Sequence, residues 1–144
     1  MYEQPIKSVM EQRKLLTATP QTSVHEAAQR MAASDVDAVL VVEEDRLLGI
    51  FTEHDAVYRV MAAGLDPRQT ALGTVMTAAP VTIDPEQPYG VALVVMQERG
   101  IHHLPVVVDG RPVGIVATRN AFDPEMEEFV AEANRRDHFA RMQS

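Results

Sequence analysis

The chain has 144 residues, of which 46% are hydrophobic and 24% charged, and its formal net charge at pH 7 is −8. This size suits one compact domain or two small units that share a core. The negative charge argues against nucleic acid as a partner, because such a field repels polyanions. No apolar run approaches the ~20 residues that span a bilayer, and the N-terminal stretch does not resemble a signal peptide. The absence of cysteine excludes disulfides and thiolate chemistry, and we expect a cytoplasmic protein without membrane contact.

The first predicted elements are a short β-prone segment, Leu16–Ala18, and the amphipathic helix that follows it. Ser23 and Glu26 have the spacing of a capping box, which predicts the start of this helix. Apolar residues then recur at positions i, i+3, i+4 and i+7 and give the helix one apolar face. These residues are Val24, Ala27, Ala28 and Met31.

A hairpin and a second helix are predicted next. The apolar segments Ala38–Val42 and Leu47–Phe51 flank a polar turn. The second strand enters the phrase Gly-Ile-Phe-Thr-Glu-His-Asp at residues 49–55, in which Thr52 begins a helix and Asp55 lies three residues further. Thr-x-x-Asp is a good helix cap, but the same arrangement also suits phosphate at the helix N-terminus and ribose hydroxyls at the carboxylate. Both interpretations are open from these residues alone.

The whole pattern returns 65 residues later. Residues 16–57 align with residues 81–122 without a gap, and ten of the 42 pairs are identical. The second copy predicts a helix between Pro88 and Gly100 and a hairpin whose Asp-Gly turn begins at Asp109. Each half therefore follows the order β-α-β-β-α, and neither half can bury its apolar face alone. We expect an α+β fold in which two repeats pack sheet to sheet with pseudo-twofold symmetry.

A further helix is predicted after the second repeat. Asp123, Pro124 and Glu125 provide a cap, a first-turn proline and acidic residues. An apolar stripe follows, made of Met126, Phe129, Val130 and Ala133. The stripe covers either its own domain or a second copy, and the limited surface that a chain of this size buries favours a homodimer. The predicted division is a first repeat at residues 5–64, a second repeat at 65–123 and a C-terminal helix at 124–144.

The duplicated layout resembles a tandem pair of CBS domains. The resemblance rests on the order of elements, on the run His-His-Leu-Pro-Val-Val at residues 102–107, and on a Gly-hydrophobic-hydrophobic-Thr/Ser-x-x-Asp signature that closes each half. It covers residues 5–123, nearly the whole chain. The pairs Val9-Met10 and Val75-Met76 are similar to the segments that lead into each repeat of this family.

The resemblance implies a site for an adenosyl compound in the cleft between the halves. Thr52 would then face phosphate and Asp55 would hold ribose, while His54 and His102 are further candidates for facing phosphate. The family's adenine slot matches Thr17, Ala18, Ala38, Thr82, Ile83, His103, Leu104 and Pro105. The second-half counterparts of the 52–55 phrase are Thr118, Arg119 and Asn120. Most residues of the slot also have an ordinary interpretation as core.

The two halves are expected to form unequal sites. Ala117 stands where the first half has Thr52, and Asn120 stands where it has Asp55. A hydrogen bond to a charged group contributes roughly 1.5–3 kcal/mol, so we expect the second site to bind about ten- to a hundredfold more weakly or to be empty. Arg119 would then lend charge to a ligand held mainly by the first half.

The leading functional hypothesis is a non-catalytic regulatory module. It would sense an adenine nucleotide (AMP, ADP, ATP or NAD(H)) and pass the signal to a partner protein. The alternative is a structural adaptor of the same fold that binds no nucleotide. An enzyme has less support, because no nucleophile–base pair is apparent. We expect no metal at His54, His102 and His103, because adjacent residues of a strand point to opposite faces and no acidic group completes the set.

Overall fold

The first repeat forms a sheet covered by helices. The computed structural model describes residues 2–10, 15–117 and 135. A 3-10 turn at Ile6–Ser8 precedes the first repeat. The elements of the first repeat are β1 (Thr17–Ala18), α1 (Val24–Ser34), β2 (Ala38–Glu43), β3 (Arg46–Thr52), α2 (Glu53–Asp55) and a π-helix (Ala56–Met61) that continues α2. The connection to the second repeat and that repeat itself contain α3 (Leu72–Val75), β4 (Thr77–Ala78), α4 (Tyr89–Arg99), β5 (His103–Val108) and β6 (Arg111–Ala117).

Capping residues determine the ends of the two long helices. At the start of α1, Ser23 Oγ accepts a hydrogen bond from the Glu26 N–H at 3.1 Å. The Glu26 carboxylate binds Arg30 at 2.9 Å, so the reciprocal half of the predicted capping box is replaced by an i,i+4 ion pair. α4 has Pro88 as its N-cap and ends at Gly100, whose φ of 64° is left-handed. α1 thus begins, and α4 begins and ends, where the sequence predicted.

The strands of the two repeats pair in the same way. The sheet of the first repeat, which β4 joins from the connection, has the order β1-β2-β3-β4, with β1 parallel to β2 and the other pairs antiparallel. In the second, β5 and β6 are antiparallel, and Ile83 forms a parallel bridge to Val106 where the first repeat has β1 beside β2. The register shifts at matching points, between Val41 and Val42 and between Val106 and Val107. The predicted α+β class with two repeats is confirmed.

Each repeat has its own hydrophobic core, and a third cluster joins them. Phe51 is fully buried in the first core and Leu104 in the second, whereas Ala28, predicted on the apolar face of α1, is exposed. The cluster between the sheets consists of Ala38, Leu40, Ile50 and Ile115. The Leu47 N–H also donates to the Gly110 carbonyl at 2.9 Å, from one hairpin to the other. The repeats therefore pack sheet to sheet, as predicted.

The segments that lead into each repeat pack on the opposite repeat. Met76, which precedes the second repeat, lies against Gly49 of β3, and Met10, which precedes the first, lies against Gly114 of β6. Ile6 is fully buried in the second core. The packing of each repeat is thus completed by the segment that precedes the other repeat in the chain.

Two predictions from the sequence, the C-terminal helix and the boundaries of the repeats, remain predictions. The helix predicted at residues 124–144 falls outside the described residues, except for residue 135. The division of the chain at residues 64 and 123 likewise stays a prediction. Within residues 2–10 and 15–117, no helix is both long enough and apolar enough to cross a bilayer.

Candidate functional site

The junction of β3 and α2 holds a reciprocal capping box. Thr52 Oγ1 accepts from the Asp55 N–H at 3.4 Å, and Asp55 Oδ2 accepts from the Thr52 N–H at 3.0 Å. The Thr52 hydroxyl also donates to Oδ2 at 3.3 Å. Two free N–H groups at the helix start are thereby satisfied. The helix-cap interpretation of Thr-x-x-Asp therefore holds in this structure.

The Asp55 side chain is buried as well as bonded. Asp55 is 3% exposed. Its Oδ1 accepts a hydrogen bond from the Thr77 hydroxyl at 3.3 Å and lies 3.5 Å from Arg59 Nε. The Arg59 guanidinium also donates to the carbonyls of Val75 and Met76, at 3.4 and 2.9 Å. Burying a carboxylate costs free energy unless it is paired and hydrogen-bonded, and these groups meet that need. Asp55 therefore connects α2 to the segment between the repeats.

A second group of side chains lies beside this junction, where β2 begins. Ala38 is the register partner of Thr52, and the Asp37 carbonyl accepts from the Glu53 N–H at 3.1 Å. The Asp37 carboxylate lies 2.8 Å from His103 Nε2, at the first residue of β5. This contact joins the two repeats at the point where both central strands start. We call this region the mouth and define it by Asp37, Ala38, Thr52 and His103.

The mouth contains some of the predicted site residues from both repeats. Ala38 and Thr52 come from the first repeat and His103 from the second, where it is the register partner of Ala117. His54 is exposed one residue beyond Glu53, and its ring stacks on Tyr58 with 4.2 Å between centroids. His102 is also exposed, directly before β5.

Other predicted residues belong to strands and cores around the mouth. Thr17 and Thr82 are exposed, and the Thr17 carbonyl accepts from Arg30 at 3.4 Å. Besides Ala38, four predicted slot residues are buried, so that their side chains can only form a wall of the slot: Ala18, Ile83, Leu104 and Pro105. The predicted residues Thr118, Arg119 and Asn120 lie outside the described part of the chain.

Sequence reasoning missed three residues that the structure places at this site. Asp37 directly precedes a predicted strand and aligns with His102 in the repeat, so the repeat alone could have identified it. Arg59 lies four residues after Asp55, and this i,i+4 spacing of opposite charges is a local pattern that could have identified it. Thr77 reaches Asp55 only through tertiary pairing of β4 with β3, and no local pattern marks it. In the described residues, no group of three or more His, Asp or Glu side chains is arranged to hold a metal ion.

Comparison with known families and curated proteins supports the repeat. The family model described as "CBS domain" matches twice, at residues 6–62 and 72–123. The "Meiotically up-regulated gene 70 protein" of Schizosaccharomyces pombe is 43% identical over 100 residues, which cover 69% of this chain and 14% of that protein. The chain therefore spans a small part of the length of this relative.

Solved structures share the fold. An uncharacterized conserved protein from Pyrococcus horikoshii is 32% identical with a TM-score of 0.75, and the match covers 94% of this chain and 95% of the other. A CBS domain protein from Pyrobaculum aerophilum, solved in complex with AMP, is 21% identical with a TM-score of 0.76, over 90% and 99% of the two chains. The second likeness concerns the fold alone.

Proposed function

Since this chain belongs to the CBS domain family, we propose that it is a non-catalytic regulatory module that binds an adenosyl ligand between its two repeats. The observation that carries the proposal is the mouth. It combines the Thr52–Asp55 pair of the first repeat with His103 of the second, so a ligand there would contact both repeats. Binding would then change how the two repeats pack against each other, and this change would regulate a partner protein.

The geometry of Asp55 is compatible with a ribose. Its Oδ1 contacts to Thr77 and Arg59 are 3.3 and 3.5 Å long, whereas charge-assisted hydrogen bonds are usually ≈ 2.7–2.9 Å. In this proposal ribose hydroxyls replace these long contacts when the ligand binds. In this proposal Asp55 holds the ribose, Thr52 faces the 5′ group of the ligand, and the strand residues of the slot form the adenine wall.

The proposed ligand is AMP, ADP, ATP or NAD(H), or another adenosyl compound. The same fold holds AMP in the protein from Pyrobaculum aerophilum. We also propose that a partner protein receives the signal, and that this partner is either joined to the module or separate from it.

A thermal-shift screen tests this function. The protein is melted with AMP, ADP, ATP, NAD, NADH and S-adenosylmethionine, with guanosine monophosphate as the control for base recognition. A ligand at a hundredfold its dissociation constant adds about 2.7 kcal/mol of stability, so we expect a clear rise in Tm with at least one adenosyl compound. A Thr52→Val variant, which keeps the side-chain shape and loses the hydroxyl, should show a smaller rise.

One observation favours the adaptor alternative. The Asp55 carboxylate is already bonded within the chain to Thr52, Thr77 and Arg59, which accounts for its burial without a ligand. If no adenosyl compound raises Tm or gives calorimetric heat at millimolar concentration, the protein acts through protein contacts and the adaptor is the better description.

A further inference from the structure

Asp37 is a charged residue at the mouth, beside the predicted site residues Ala38 and His103. Its side chain is 41% exposed, its carboxylate lies 2.8 Å from His103 Nε2, and its carbonyl accepts from the Glu53 N–H. It is therefore flanked by candidate site residues of both repeats. We propose that Asp37 is a specificity-determining residue that disfavours polyphosphates, so that the site prefers adenosyl ligands whose 5′ group is neutral, cationic or at most a single phosphate. This inference rests on the proposed function.

Two backbone N–H groups at the start of α2 are already hydrogen-bonded within the chain. Free N–H groups at a helix start are the usual cradle for a phosphate. Here the Glu53 N–H binds the Asp37 carbonyl at 3.1 Å, and the Asp55 N–H binds Thr52 Oγ1 at 3.4 Å. The chain itself thus uses two of the groups that a phosphate would need. A nucleoside can still bind without them.

The charges around Asp37 also disfavour a polyphosphate. Asp37 precedes Ala38 and Asp55 follows Thr52, and because Ala38 and Thr52 are antiparallel register partners, both carboxylate residues lie beyond the same end of this hairpin. The Arg59 guanidinium is bonded to Asp55 and to the carbonyls of Val75 and Met76, so its charge is largely committed. Two like unit charges about 4 Å apart in water repel enough to lower a binding constant about fivefold. Each added phosphate charge near Asp37 therefore weakens binding.

The two halves of the repeat differ in charge at the position of Asp37. The residue that aligns with Asp37 in the second half is His102, so the two halves carry side chains of different charge type at matching positions. Changing Asp37 to histidine would make the first half match the second. The repeat thus supplies its own test of the role of the carboxylate.

Titration calorimetry with four probes tests the inference, without divalent cations: 5′-methylthioadenosine, S-adenosylmethionine, AMP and ATP. For the unmodified protein we expect 5′-methylthioadenosine to bind at least tenfold more tightly than ATP. Asp37→Asn, which keeps the size and an acceptor for His103, should strengthen ATP binding about five- to tenfold and change 5′-methylthioadenosine binding less than twofold. Asp37→His should strengthen ATP binding at least as much.

Asp109→Asn is the matched control. It removes the same charge at the turn after β5, six residues and roughly 20 Å along the strand from His103. Asn-Gly suits this turn as well as Asp-Gly, so the variant should fold and leave the ratio of ATP to 5′-methylthioadenosine affinity unchanged. Circular dichroism melts establish that each variant is folded.

Ionic strength gives a readout that needs no variant. If repulsion at Asp37 weakens ATP binding, added salt screens it, and ATP affinity should rise or stay level between 50 and 300 mM salt. A steep fall of ATP affinity with salt, or ATP binding as tight as 5′-methylthioadenosine, overturns the inference while leaving the proposed function intact. An equal effect of Asp37→Asn on all four probes also overturns it. Failure of every probe to bind overturns the proposed function and this inference together.

Discussion

The Asp55 carboxylate is almost fully buried and binds the Thr52 N–H, the Thr77 hydroxyl and the Arg59 guanidinium. Replacing it with alanine removes a helix cap and leaves the groups of Thr77 and Arg59 without this acceptor. We expect Asp55→Ala to lower the free energy of unfolding by about 2–3 kcal/mol, and Asp55→Asn, which keeps one oxygen, to lower it less. Urea unfolding of the ligand-free protein measures both.

Asp35→Asn is the control for that comparison. Asp35 is an exposed C-cap with a φ of 53°, a conformation that asparagine adopts readily. Its loss of charge should change the free energy of unfolding by less than about 0.5 kcal/mol. If Asp55→Ala costs no more than Asp35→Asn, the hydrogen bonds around Asp55 contribute nothing to stability.

At the scale of elements, the two lead-in segments are held against glycines of the central hairpins. A Cβ at Gly49 would lie 2.5 Å from Met76 Sδ and 2.8 Å from the Thr77 carbonyl oxygen. A Cβ at Gly114 would meet only side-chain atoms of Met10 among its three nearest neighbours, the closest at 2.5 Å. A flexible methionine side chain can move away, whereas a backbone carbonyl in a strand cannot.

We therefore expect different costs for the same substitution at equivalent positions of the repeat. Gly49→Ala should lower the free energy of unfolding by about 1–3 kcal/mol, and Gly114→Ala by less than about 1 kcal/mol. Denaturant midpoints of the two variants, compared at equal m-values, measure the difference. A larger loss for Gly114→Ala would mean that the N-terminal segment is held more rigidly than β4.

For the whole molecule, the pseudo-symmetry of the fold does not extend to the chemistry of the two sites. The first half has Thr52 and Asp55, whereas the second has Ala117 and Asn120. We expect calorimetry on the unmodified protein to show one dominant site, with a second that is about ten- to a hundredfold weaker or undetectable. Asp55→Ala should abolish the dominant heat and Asn120→Ala should not. The opposite result would mean that the second half holds the ligand.

The surface of the first repeat also supports the expected homodimer. The helical segment after Asp55 exposes Tyr58 by 65% and Met61 by 72%, and Val57 and Leu65 are exposed nearby. Burying this strip against a second copy would remove apolar surface from water. Light scattering behind a sizing column at tens of micromolar should give the mass of a dimer. Met61→Lys should shift the measured mass toward that of a monomer, whereas the control Val108→Lys, at the β5–β6 turn, should not. A monomeric unmodified protein would contradict the expected homodimer.

The sequence by itself determined the elements and their repetition, because caps, turn residues and hydrophobic spacing act over a few neighbouring residues. The start of α4 after Pro88, its end at Gly100 and the cap at Thr52 are all local in this sense. The tertiary structure alone decided which lead-in segment packs on which repeat. It also decided that Asp37 meets His103 across 66 residues of chain. Such contacts depend on how two sheets face each other, and the local periodicity of a strand does not specify its distant partner.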